Sequence, residues 1–516
     1  MSLQEKSDGL NGSDSRSSLV RDASGFMVAT YVSQFLSFGI GIITKGLLGP
    51  DDLGLWSQLL AALSFLGLLE FGVIQAANKE ISYALGKNNF LLAEQYKRVQ
   101  FTFVAMTSFI GATGLYLYVL FFETAFSTFS FGLISLAVIL PLSQLHLGQV
   151  TVYWANGRFG PTSLLVIAET AVAGTLGLLL VWQFGVIGQI VSFFVILIIK
   201  ICSLEWQAQR ITSLKIGFGW NYVALKHLLK SGTPLFLISI TNVFKLSGTV
   251  FLISYYFDAQ SVGYYSLALS VQNFIYWTPN AFSVVMLPRF QNRYANSNDQ
   301  ASALRSYLFY PIFGLAFFLL PILLSATYFL VPPLLENILP AYGPTNHILV
   351  IILIGTFFLS LEHMPTQFLI TINKLWERVS ISVLGLVLTA VCLAPAVIFD
   401  GNILHFVACL SIANLLNLLV ILIYAILHTE GSHSDRWITL AILGAFLYLV
   451  TVTLVVDHWI ASSHVSLLFD MQVAFCKWLF ALFLMLPLFL IAERKLGLLT
   501  SIGGLFRQLR SSTQEL

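Results

Sequence analysis

Apolar stretches long enough to cross a bilayer follow one another along almost the whole chain, and every second connection between them lacks Lys and Arg. A helix needs roughly 20 apolar residues to traverse a hydrocarbon core about 30 Å thick, and on that rule about fourteen segments qualify. They fall at approximately 25–48, 54–76, 99–121, 129–153, 162–184, 185–203, 232–257, 263–288, 306–330, 346–371, 379–399, 401–428, 437–459 and 470–493. The side without basic residues carries Asp51, Asp52, Glu123, Asp258, Glu336, Asp400, Asp457 and Asp470. The other side collects Lys79, Lys87, Lys97 and Arg98, then Lys226 and Lys230, Arg289, Arg293 and Arg305, and finally Arg494, Lys495, Arg507 and Arg510. Cytoplasmic loops accumulate positive charge and outer loops avoid it, so the split orients the chain with both tails cytoplasmic. Of the 26 basic residues, only Lys45, Lys245 and Lys477 lie in spans away from an inner connection. A charge at such a position is expensive enough to point to a site.

The chain is 57% hydrophobic and 10% charged, with a mean hydropathy of +0.84, so lipid must be the solvent for most of its surface. A net charge of +2 spread over many loops implies no nucleic-acid partner. Cys202, Cys392, Cys409 and Cys476 sit singly in apolar spans without CxxC spacing and read as small core hydrophobes. There is no HExxH, no Cys/His metal spacing and no P-loop, and Gly39-Ile40-Gly41 fails as a dinucleotide fingerprint. No cofactor or metal is therefore expected, and any driving force would come from an ion gradient, the membrane potential or the substrate gradient.

The spans organise into an all-α polytopic membrane protein. Residues 1–24, rich in Ser, Gly and charge, are expected to form a disordered cytoplasmic tail rather than a signal peptide, and the sequon Asn11-Gly12-Ser13 within them is discounted. Six spans over 25–203 form a first lobe, and six over 232–428 a second. Between them, residues 204–231 suit an amphipathic interfacial helix, with Trp220-Asn221-Tyr222 followed by Leu225-Lys226-His227-Leu228-Leu229-Lys230. Residues 437–493 add a pair of spans, and the tail 494–516 has a similar amphipathic stretch at Leu496–Arg510.

The two lobes repeat each other. Gly54-Leu55-Trp56-Ser57 after Asp51-Asp52 recurs as Gly263-Tyr264-Tyr265-Ser266 after Asp258, 209 residues on. Asn156-Gly157-Arg158 corresponds to Ile372-Asn373-Lys374, and Arg21–Gly25 parallels Lys230–Pro234. Six spans per unit gives parallel repeats about an axis along the membrane normal, with a site between the halves.

Polar residues inside the spans are the candidates for that site. Asn242, Lys245 and Gly248/Thr249 share one face of the seventh span, and Gln34, Ser37, Gly41 and Lys45 share one face of the first. A central lysine costs at least about 2.5 kcal/mol against lipid, so both stripes are expected to line a water-filled cavity where an ammonium attracts an anion. Snorkelling to the outer interface is the competing account of Lys45 and the favoured one of Lys477. Glu70, Glu169 and Glu362-His363 are the buried acids, and Glu70 and Glu362 are candidate proton or cation sites. The alternative is a protonated Glu satisfied between helices. Thr278-Pro279-Asn280, with Asn273 on the same face, offers a polar wall and a proline that frees a backbone carbonyl. His146 and His405 read as satisfied core histidines.

Three of these segments, Leu48-Gly49-Pro50-Asp51-Asp52-Leu53-Gly54-Leu55-Trp56-Ser57, Leu228-Leu229-Lys230-Ser231-Gly232-Thr233-Pro234 and Leu287-Pro288-Arg289, resemble the polysaccharide transporter family, the Wzx-type O-antigen flippases of the MOP superfamily. The resemblance covers about residues 20–430. It implies two six-helix lobes around a central cavity that opens alternately to each side of a bacterial inner membrane. The implied cargo is a lipid-linked oligosaccharide on a polyisoprenyl pyrophosphate, with H+ or Na+ as the coupling ion and glycosyltransferases and a polymerase as neighbours in the pathway. A related multidrug or cation antiporter is the first alternative, disfavoured by Lys245 at mid-depth. A membrane-embedded glycosyltransferase or polymerase is the second, disfavoured by outer loops too short to carry a catalytic domain.

Overall fold

With no water in the bilayer interior, each crossing must pair its own backbone N–H and C=O groups, and helices do this completely. The computed structural model describes residues 14–122, 127–156, 160–208, 215–297, 300–429, 436–460 and 466–496, with helices and no strand among them. It divides into two compact units, Met1–Gly263 and Tyr264–Leu516. The first unit holds α1 (Asp14–Gly67), α2 (Val73–Gly86), α3 (Phe90–Phe122), α4 (Thr128–Ala155), α5 (Gly160–Ala208), α6 (Tyr222–Tyr256) and the start of α7 (Ala259–Asn296). The helix α1 thus begins inside the tail expected to be disordered. In the second unit follow α8 (Arg305–Gly314), α9 (Leu320–Ile338), α10 (Thr345–Leu361), α11 (His363–Thr371), α12 (Leu375–Ile398), α13 (Ile403–His428), α14 (Arg436–Trp459) and α15 (Leu467–Leu496).

Among the described residues, 11 helical stretches are long and apolar enough to cross a membrane. Two of them, Val32–Glu70 and Ile167–Ala208, run 39 and 42 residues, about twice what a core of roughly 30 Å needs at 1.5 Å per residue. Each turns back at a single glycine with positive φ, Gly49 (φ 75°, ψ 168°) and Gly185 (φ 57°, ψ −135°). Glycine takes up that backbone without a Cβ clash, and Pro50 presets the first turn of the returning helix where its missing N–H is not needed. The helix α7 is long enough to cross as well, but Gln272, Asn273, Thr278 and Asn280 keep its hydropathy below that of the others. Counting both halves of the two long stretches and adding α7 recovers the about fourteen crossings expected from the roughly 20-residue rule.

Two expectations are corrected. The second span is not one continuous helix: it tightens at Leu68–Glu70, passes through left-handed Phe71 (φ 51°) and Gly72 (φ 77°), and restarts as α2. The restart is capped by Glu70, whose Oε2 accepts the Ile74 N–H at 2.8 Å. Nor is there a separate interfacial helix before the seventh span. Residues 215–221 are non-helical, and α6 runs unbroken from its N-cap, where Asn221 Oδ1 accepts the Ala224 N–H at 3.0 Å. The preceding strap is drawn onto α3 instead, since Gly219 N–H donates to Thr102 Oγ1 at 2.8 Å. Residues 209–214 and the amphipathic stretch expected beyond Leu496 lie outside the described residues.

Lipid tails are as apolar as leucine, so helices associate mainly through close backbone approach at small residues. The repeat motif supplies the tightest example, within the first unit. A Cβ on Gly54 would stand 1.9 Å from the Ala259 carbonyl oxygen, and one on Gly263 would stand 1.9 Å from that of Pro50. Moving Pro50 and Gly54 by the 209-residue offset gives Ala259 and Gly263, so the contact is reciprocal, as at an isologous two-fold interface. The second unit is built around α10, where 67% of the most apolar window is buried. Ser411 Oγ of α13 donates to the Ile351 carbonyl at 2.8 Å, and Gly385 of α12 lets Asn417 approach. The last pair of helices docks through Phe446 on Phe357 and Phe358, and through Trp478 Nε1 on the Ile322 carbonyl at 3.4 Å.

Because the atoms facing Gly54 and Gly263 are backbone, they cannot swing aside. Gly54→Ala and Gly263→Ala should each lower stability by about 1–3 kcal/mol, read as a drop in apparent Tm of the solubilised protein. Gly86→Ala, which meets nothing within 4 Å, should leave it unchanged.

Candidate functional site

The lysines come first because they are the costliest side chains to bury. On α1, Gln34 and Lys45 are half-buried and Ser37 is exposed. The Lys45 ammonium lies 3.9 Å from where a Cβ on Gly41 would be, so the side chain leans back one turn toward the N-terminus of its helix. That direction leads into the span and away from the acidic end, where snorkelling would take it. On the opposite side of this segment, Ile40 packs at Gly174 of α5.

On α6, Lys245 is half-buried and Asn242 exposed, and Thr249 Oγ1 donates to the Lys245 carbonyl at 2.6 Å. The adjoining face is aromatic. Phe65, from the second half of α1, packs on Phe244 and Phe251 with ring centroids 5.1 and 5.6 Å apart, and Gly248 lies between them. Below this, Phe71 meets Phe236 at 5.4 Å, and the backbones of Gly72 and Gly232 touch, with a Cβ on either standing 2.5–2.6 Å from the other's carbonyl oxygen. Lys245 therefore borders the seam between the broken second crossing and α6.

Of the acids, Glu70 is 5% exposed and serves as the cap of α2. Glu362 sits where α10 gives way to α11. Beside it, the His363 ring lies 4.5 Å from that of Tyr276 on α7, and Arg378, in the first turn of α12, is within electrostatic reach of Glu362, His363 and Tyr276. Gln367 Nε2 donates to Ser283 Oγ at 3.4 Å on the same side. The nearby Asn280 is half-buried and Asn273 exposed, and α7 continues helically through Pro279.

The third lysine does not snorkel. Lys477 is 4% exposed, and its ammonium meets Asp457 Oδ1 at 2.8 Å, with the Tyr328 hydroxyl donating to Asp457 Oδ2 at 3.1 Å. The pair joins α14, α15 and α9 beside a cavity of about 290 Å³ that Glu336, Asn346, His347 and Asp470 also line. The ammonium is satisfied by the half-exposed Asp457 carboxylate of the acidic end rather than by open solvent.

A family model described as "polysaccharide biosynthesis protein" matches residues 46–339, more than half the chain. The chain belongs to the polysaccharide biosynthesis protein family. Its fold is that of the MOP-superfamily transporters. A solved structure of the lipid II flippase MurJ, in an inward closed conformation, superposes with a TM-score of 0.65 at 14% identity, covering 91% of this chain and 99% of that one. An inward-facing multidrug resistance MATE family transporter of the MOP superfamily gives a TM-score of 0.65 at 13% identity, covering 78% and 94%. A Vibrio cholerae MATE transporter gives 0.60 at 16%, covering 82% and 98%. No curated protein matches by sequence.

Sequence reasoning missed several polar groupings of this family member. Within the α5 hairpin, Ser203 Oγ donates to Glu169 Oε1 at 2.8 Å, and between α4 and α5, Gln149 Nε2 donates to Glu205 Oε2 at 3.3 Å and the Tyr153 hydroxyl to the Leu204 carbonyl at 2.6 Å. His146, Gln149 and Tyr153 are spaced i, i+3, i+7, and that stripe was the available signal. Arg378 was hidden because it read as an inner-loop cation. His405 is not a core histidine: it is exposed and completes a capping box with Asn402 at the start of α13. Leu287-Pro288-Arg289 and Glu123 lie outside the described side chains.

Asp457→Asn would strand a buried ammonium, whereas Lys477→Met removes the charge and keeps the apolar stem. The first should destabilise the α14–α15 pair by roughly 1–3 kcal/mol, and the second by less than about 1 kcal/mol. Limited proteolysis of the C-terminal segment, alongside apparent Tm, distinguishes the two.

Proposed function

We propose that this chain is a flippase that carries a polyisoprenyl-pyrophosphate-linked oligosaccharide from the inner to the outer leaflet by alternating access, for surface polysaccharide biosynthesis. Lys245 carries the reading: its ammonium is half-buried in the middle of an apolar helix, where a positive charge favours an anionic cargo. Lys45, turned inward along α1, supports it. The family match to polysaccharide biosynthesis favours a glycan cargo, and the fold shared with MurJ is compatible with one on a lipid carrier. Gln34, Asn242, Asn273 and Asn280 would meet sugar hydroxyls. The lack of basic residues at one end of every hairpin supports a reading with both tails cytoplasmic, and the family match favours a bacterial inner membrane.

For ion coupling, Glu362 is the stronger of the two proposed acids. Glu70 already caps α2, while Glu362 sits at a helix break among His363, Tyr276 and Arg378. The fold shared with MATE transporters keeps a cation antiporter as the second reading. A lysine in the transport path repels such cargo.

In proteoliposomes loaded with a fluorescent polyprenyl-pyrophosphate oligosaccharide, Lys245→Ala should slow flipping roughly 10- to 100-fold, the size of one lost contact to a charged group. Lys245→Arg should keep part of the rate. An unchanged rate in the Ala variant, or efflux of an organic cation such as ethidium that survives it, would favour the antiporter.

A further inference from the structure

The segment Lys230-Ser231-Gly232-Thr233-Pro234 is not among the residues proposed to bind cargo, yet the structure gives three of its residues contacts of their own. Ser231 Oγ donates to Glu80 Oε1 of α2 at 2.9 Å. One turn earlier on the same helix, His227 Nε2 lies 3.1 Å from Glu80 Oε2, so both carboxylate oxygens of α2's acid are held by α6. Glu80 is 9% exposed, and a cationic neighbour, Lys79, is 3.9 Å away and largely solvated. The His227 ring stacks on Tyr96 of α3 with centroids 5.7 Å apart, fixing the imidazole toward the carboxylate.

Just beyond these polar contacts, Gly232 meets Gly72 backbone to backbone. Pro234 then interrupts the helical hydrogen bonding of α6, because it has no N–H for the Lys230 carbonyl. A proline is a place where a helix bends. The first turns of α6 are thus attached to the α2–α3 body by the polar contacts around Glu80 and by Ala224, Leu225 and Leu228, buried in a core shared with Ala77, Ile81 and Tyr96, and attached to the rest of α6 at a weakened point. Lys245 lies 11 residues beyond that point, counting from the sequence, on the same helix.

We propose that Glu80, with Ser231 and His227, is a latch that closes the basic-residue end of the seam between α2 and α6. Its release lets the first turns of α6 swing about Gly232–Pro234 and opens a route toward Lys245. The contacts suit a latch: they lie at the end of the helices where water can replace them, and the Gly72–Gly232 contact beneath has no side chains to interlock. Parting the seam exposes Glu80 to solvent, so opening does not leave a buried charge unpaired. This inference rests on the chain being an alternating-access transporter, but not on which cargo it carries.

The test uses the full-length protein with Cys202, Cys392, Cys409 and Cys476 replaced. A reporter Ala76→Cys sits in the seam, fully buried and facing Gly232. Its labelling by a membrane-impermeant maleimide should accelerate roughly tenfold with Glu80→Ala, the effect expected from losing hydrogen bonds to a charged group. Ser231→Ala should give a smaller increase. Independently, Glu80→Cys with Ser231→Cys, joined by a short cleavable bis-thiosulfonate reagent, should stop flipping until reductant is added. The same sample after reduction controls for folding. Unchanged labelling in a well-inserted Glu80→Ala protein, or full flipping while the pair is cross-linked, overturns the latch. Labelling that responds as expected while no lipid-linked glycan moves in the parent protein keeps the latch and removes the cargo reading.

Discussion

Everything in this molecule follows from the absence of a hydrogen-bonding solvent around most of its backbone. Helices satisfy that constraint without help, so the interesting positions are those where a helix stops. Two stops in the apolar region pass through left-handed backbone at a glycine and use a group that takes up the loose ends. At Gly49 the glycine is followed by a proline that needs no partner. At Phe71–Gly72 the loose end is the N-terminus of α2, and Glu70 provides the acceptor. A carboxylate that reads as a candidate ion site from sequence is thus committed, at least through one oxygen, to repairing a break.

The same constraint explains why the tight contacts are glycine contacts. Without a hydrophobic force between helices, dispersion at short range must hold them, and only a bare backbone comes close enough. The first unit uses this at both levels of its seam, with Gly54 and Gly263 at the acidic end and Gly72 and Gly232 nearer the basic end. Aromatic rings fill the space between, Phe65 against Phe244 and Phe251, and Phe71 against Phe236. The sequence repeat begins its second copy near α6, whereas the contacts assign α6 to the first unit. The seam explains this, because α6 is bound more intimately to the second crossing than the repeat alone implies.

The number of crossings was legible in the sequence because it depends on a sum over many residues, namely hydropathy. The repeat was legible from Gly54 and Gly263, although their reciprocal contact was not. What could not be read were pairings that depend on one rotamer or one partner. Lys477 looked like a snorkelling residue because nothing along the chain ties it to Asp457, which is 20 positions away on another helix. The break at Leu68–Gly72 lies within an apolar pattern interrupted there only by Glu70, which reads as a candidate ion site, and Gly67 and Gly72 alone hint at a turn. His227 reads from sequence as part of an interfacial helix, and nothing along the chain ties it to Glu80, 147 positions earlier on another helix. For the candidate site, the stripes on α1 and α6 were visible as periodicity, while the neighbours that give them meaning came from other helices.

The one-residue turns at Gly49 and Gly185 have a practical side. A hairpin that reverses on one glycine offers no slack to an inserted peptide, and no loop for an antibody to grip. At these two hairpins the face opposite the basic residues is nearly flush with the membrane. Epitope tags, protease sites or fluorescent fusions inserted at these turns would disrupt the hairpins, and a binder will find little to hold there.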